Sequence, residues 1–132
     1  MTNPLIQDFR DLVVWQRSMD LVLDVYRLTD AYPRYEMFNL TTHTRKSAIS
    51  IPSNVAEGAN RRSLPPYINH VNIAMGSEAE LFTQLMVGQR LGYVAEKDLE
   101  KPFSNLAEIG RMLNGLSTSL ELALERQKAR RQ

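Results

Sequence analysis

The chain contains no cysteine. That excludes disulfides and thiolate metal sites, and it fits a reducing compartment. Glycine and proline are scarce, six of each in 132 residues, too few for an all-β protein built on tight turns. No apolar run approaches the roughly 20 residues that span a bilayer. The opening "MTNPLIQDFRDLVVW" has no basic region ahead of a long apolar stretch, so no signal peptide is expected. The expectation is a cytoplasmic protein without membrane partners. A net charge of +1 excludes a polycation, yet the charge is uneven. Residues 45–62 carry four bases and one acid, and residues 101–132 carry six bases and three acids, whereas the intervening 63–100 is acidic. Basic surface must come from Arg45, Lys46, Arg61 and Arg62, or from the C-terminal "RQKARR".

Apolar residues make up 43% of the chain, enough for a real core in one domain of 1–132. They recur at helical spacing. A first helix is predicted over 12–31, with Asp11 as its cap and a stripe of Leu12, Trp15, Met19, Val22 and Tyr26. A second stripe, Val14, Leu21, Val25 and Leu28, widens the apolar arc to more than half the circumference. The surplus is either the edge of a wide core or a subunit interface, and the second stripe supplies the interface candidates. A second helix is predicted from about 35, a third from Ser63 to Gly92, and a fourth from Asp98 or Pro102. A short arm at 1–10 and a frayed basic tail at about 126–132 complete the chain. Short connections make neighbouring helices antiparallel, so the fold class is all-α, an up-and-down four-helix bundle.

The stretch "SAISIPSNVAEGANRR" holds the main polar group within an apolar repeat. A helix kinked at Pro52 places Asn54, Glu57 and Arg61 on one stripe, with Glu57 and Arg61 at ion-pair spacing. Glu80 of the next helix is the expected partner across the pair. This reads as a structural cluster. The stretch lacks a phosphate-loop spacing, and His43 and His70, on different predicted helices, supply no base beside a nucleophile. No catalytic residue, metal site or cofactor is predicted.

"DLVVWQRSMDLVLDVY", "SIPSNVAEGANRR" and "IAMGSEAELFTQLMVGQRLGY" together resemble the bacterial four-helix-bundle family of S23, or 23S rRNA intervening-sequence, proteins. The resemblance covers about residues 9–93. His43, Ala59 and the Pro65–Pro66 pair depart from the family pattern. The resemblance implies a non-enzymatic homo-oligomer, a ring of five subunits in the typical case. It also implies similarity in fold to accessory proteins of diversity-generating retroelements, which bind a reverse transcriptase and nucleic acid. The expected function is thus an oligomeric accessory to RNA, DNA or a ribonucleoprotein, with Arg45, Lys46, Arg61 and Arg62 on phosphate. The alternative is a scaffold that binds a partner protein and no nucleic acid.

Overall fold

The computed structural model describes residues 8–132. The expected arm at 1–10 therefore lies mostly outside the described residues. Four helices follow in order: α1 (Val13–Thr29), α2 (Thr42–Ala59), α3 (Leu64–Arg90) and α4 (Glu96–Arg130). α1 packs on α2 and α4, and α3 packs on α2 and α4, so the chain runs up and down around one core as the periodicity predicts.

α1 starts one residue later than Asp11 implies, with Leu12 at the N-cap position. Asp11 closes a 3₁₀ turn, Phe9–Asp11, which Asp8 caps by accepting from the Arg10 amide at 2.9 Å. The core face of α1 is Val14, Ser18, Leu21, Val25 and Thr29. Its two hydroxyls are satisfied inside the helix: Ser18 donates to the Val14 carbonyl (2.6 Å) and Thr29 to the Val25 carbonyl (2.7 Å). Leu21 and Val25 are fully buried and Val14 nearly so, while Leu28 packs partly buried against the same core. These four interface candidates therefore face inward. The other stripe lies at the rim: Met19 and Tyr26 are each 39% exposed, while Leu12, Trp15 and Val22 pack partly buried against the core.

Between α1 and α2 the chain does not enter the second helix directly. A 3₁₀ turn, Arg34–Glu36, leads into a π-helical turn, Met37–Thr41, with non-helical backbone at Phe38 and Asn39. Phe38 is thrown outward and is 93% exposed. α2 then runs unbroken through the buried Pro52. Gly58 does not break it but lets α3 approach. A Cβ there would lie 2.9 Å from Tyr67 Cδ1 and 3.0 Å from His70 Cβ.

Ser63, in extended backbone, occupies the N-cap position of α3 without a side-chain cap bond, and Pro65 and Pro66 sit in the first turn. The helix ends at Gly92, whose φ of +81° suits glycine. There the Tyr93 amide reaches the Gly88 carbonyl and the Gly92 amide the Gln89 carbonyl, both at 2.9 Å, a Schellman ending. α4 starts at Glu96 rather than after Asp98, and Glu96 and Asp98 in its first turn complement the helix dipole. It passes through Pro102 and stays helical to Arg130. The tail expected to fray from 126 is the last part of this helix. Leu81, Leu85, Ile51, Ile109 and Leu113 are fully buried at the centre. No helix among the described residues is long and apolar enough to cross a membrane.

Candidate self-association and nucleic-acid surfaces

The rim stripe of α1 and the neighbouring face of α2 enclose an apolar groove of about 280 Å³. It is lined by Trp15, Met19, Val22, Ile49, Pro52 and Ala56, with Ser53. The lining residues recur three or four apart on each helix, so the periodicity that builds the core on one side builds this groove on the other. Ile49 is 41% exposed. Trp15 and Val22 also pack partly buried against the protomer's own core and Pro52 is buried, whereas Met19, 39% exposed, and Ile49 lie outside that core.

The four basic candidates do not form one site. Arg45 is spent on structure. Its Nε donates to Thr29 Oγ1 at 2.8 Å, its Nη2 pairs with Asp30 at 3.1 Å, and its guanidinium lies 4.5 Å from the Tyr26 ring centre. These contacts clamp α2 onto the end of α1, where a cation also complements the helix dipole. With its side chain only 17% exposed, Arg45 offers little to a phosphate. Lys46 is exposed near the same end. Arg61 and Arg62 lie exposed beyond the other end of α2, roughly 20 Å away at 1.5 Å per residue.

Of the four residues expected to cluster, the structure places Asn54, Glu57 and Arg61 around His70. Asn54 Nδ2 donates to the Ser50 carbonyl at 2.9 Å, which fixes the amide and turns Oδ1 toward His70 Nδ1, also 2.9 Å away. Nδ1 must then carry the proton. Nε2 is left as the acceptor for Arg61 Nη2 at 3.4 Å. Ser50 joins the α3 residue Ser77 at 2.7 Å. Glu57 stands at the rim, 61% exposed and 3.7 Å from His70 Nδ1. The expected Glu57–Arg61 ion pair is not formed, because α2 ends at Ala59 and Arg61 leaves the helical register. Glu80 is exposed on α3 beside Ala79, Thr83 and Gln84, and it makes no hydrogen bond or ion pair with the cluster among the described residues. His70 was missed because its partners come from another helix, and nothing in its local sequence marks it. The signal that could have found it is Gly58: only helices in close contact need a glycine there.

A second polar group sits at the α1–α2 connection. Glu36, buried to 8% exposure, accepts from Tyr93 Oη (2.9 Å) and Asn39 Nδ2 (3.1 Å). Because Tyr93 donates to Glu36, Tyr35 donates to Tyr93 across 3.1 Å. Bonding to Tyr35, desolvation and the Glu36 carboxylate together push the Tyr93 phenol well above its usual range. This group closes the connection over the end of the bundle. Glu78, whose carboxyl burial pushes up, packs over Gly110 of α4. A wider groove of about 570 Å³ between α1 and α4 has charges of both signs, Arg17, Asp20, Asp24, Arg27, Lys101 and Glu108. Among the described residues, no group of three or more histidines and carboxylates is placed to hold a metal ion.

A bundle of four antiparallel helices, with one polar seam between α2 and α3 and an apolar outer groove, defines the class. A family model described as 23S rRNA-intervening sequence protein matches residues 10–115. The match spans α1 to α3 and more than half of α4, and the chain belongs to that family. A comparison with curated proteins found no match.

Proposed function

We propose that this protein is a non-enzymatic, self-associating helical bundle that serves as an accessory to RNA or a ribonucleoprotein in the cytoplasm. The observation that carries the reading is the α1–α2 groove. Met19 and Ile49 lie outside the protomer's core and, with the outer edges of the partly buried Trp15 and Val22, form an apolar outer face, and faces of this kind mark association surfaces. Two distinct patches meeting head to tail close a ring when the rotation fits, and the family implies a pentamer. Membership of a family named for an rRNA intervening sequence supports RNA as the associated molecule. One observation favours the protein scaffold as a second reading: Phe38 and Tyr35, 93% and 77% exposed at one end of the bundle, are aromatic anchors suited to a protein partner.

The test is purification from the native host, followed by nuclease treatment and sequencing of any bound nucleic acid. RNA that remains through gel filtration at physiological salt is the expected result. A second protein in stoichiometric amount, with no nucleic acid, would replace this reading by the scaffold.

A further inference from the structure

α3 and α4 pack antiparallel, and two contacts fix their register. Phe82 stacks on Phe103 with ring centres 4.9 Å apart, and Glu78 lies over Gly110. Continued down the pair, that register sets Leu64, the first residue of α3, beside about residue 122 of α4. α4 does not stop there. It remains helical to Arg130; Ala123 and Leu124 still pack partly buried against the core, so about six residues, roughly 9 Å of helix, run clear of the bundle. Every residue from 125 to 132 except Gln127 is exposed.

This overhang carries Arg126, Lys128, Arg130 and Arg131, and no acid follows Glu125. At 100° per residue the four cations spread over about 200° of the helix. The α2–α3 connection at the same end of the bundle adds Arg61 and Arg62. The ion pairs among the described residues engage Arg10, Arg27, Arg45, His70 and Arg111, so all six cations are without one. A basic last turn offsets the helix dipole, but that effect fades within one turn, and Arg126 lies a full turn before the end. Glu57, Glu121 and Glu125 offset part of the charge from the bundle side and leave the end net positive. The overhang lies outside the region that matches the family.

We infer that the projecting end of α4, with the Arg61–Arg62 corner, is a cationic arm that takes the phosphodiester backbone of a nucleic acid. The inference rests on the RNA-accessory reading and gives it a site. Arginine and lysine on phosphate fix position without reading sequence, so RNA and DNA strands of different sequence should bind alike. Self-association would multiply the arms and raise avidity by about 10²–10⁴.

The experiment is fluorescence anisotropy on the full chain, with labelled single-stranded RNA and DNA between about 50 mM and about 200 mM salt. The logarithm of the binding constant falls with the logarithm of salt in proportion to the phosphates engaged. Replacing Arg126, Lys128, Arg130 and Arg131 by alanine should therefore remove about two thirds of the wild-type slope. Arg61→Ala with Arg62→Ala should remove about one third. Lys97→Ala with Lys101→Ala, at the opposite end, should leave the slope unchanged. An unchanged slope in the four-site variant overturns the arm while the RNA reading survives, and so does an equal loss in the Lys97/Lys101 control. A wild-type protein that binds neither strand at the lower salt overturns both.

Discussion

Leu21→Ala should lower folding stability by about 2–5 kcal/mol, the cost of emptying a fully buried leucine site. Leu21 has no exposed surface and packs with Val25, Ile51 and Leu113 in the central cluster. Urea melts at fixed protomer concentration read the effect, since association itself would shift an apparent midpoint. Met19, two residues earlier, lies on the outer stripe at 39% exposure, and Met19→Ala should change the melt by about 0.5 kcal/mol or less in a protomer. The pair separates the two apolar stripes of α1. A Leu21→Ala protein that melts normally but loses its partners would mean that the inward and outward faces are exchanged.

Gly88→Ala should destabilise by about 1–3 kcal/mol, the usual cost of forcing a methyl group into a packed core. A Cβ on Gly88 would overlap the Tyr32 hydroxyl and lie 2.9 Å from Tyr32 Cζ. Tyr32 cannot readily yield: it is 6% exposed and its ring lies 5.3 Å from that of Tyr93. The buried Tyr32 hydroxyl has no hydrogen-bond partner among the described residues, and leaving such a group unsatisfied costs about 1–3 kcal/mol. Tyr32→Phe should therefore raise the melting temperature. It should also open space for the new methyl, so Tyr32→Phe with Gly88→Ala should be more stable than the sum of the single changes implies. Strict additivity in thermal melts would refute the contact.

The four helices were legible because apolar residues at spacings of three and four admit no strand reading. Which arc of α1 faced inward was not. Both stripes are apolar, and the buried one is interrupted by Ser18 and Thr29, whose hydroxyls bond within the helix. Periodicity gives the width of a face and not its direction. Arg45 reads as a free base because Thr29, Asp30 and Tyr26, which hold it, lie 15 to 19 positions away. The π-helical turn at Met37–Thr41 has no local signature, since it follows from how Glu36, Asn39 and Tyr93 meet. The end of α4 had a signal that apolar patterning ignores. "ERQKAR" is built from strong helix formers and needs no core to continue a helix already started.

The groove on α1 and α2 is the centre of the account, and multi-angle light scattering tests it most directly. Wild-type protein at micromolar concentration, nuclease-treated, should give a fixed multiple of the 15.1 kDa protomer. Met19→Asp, which places a carboxylate in the groove without touching the core, should give the 15.1 kDa species with helical content intact. A wild-type protein that elutes as a 15.1 kDa monomer would contradict self-association. An assembly that survives Met19→Asp would place its interface elsewhere on the bundle.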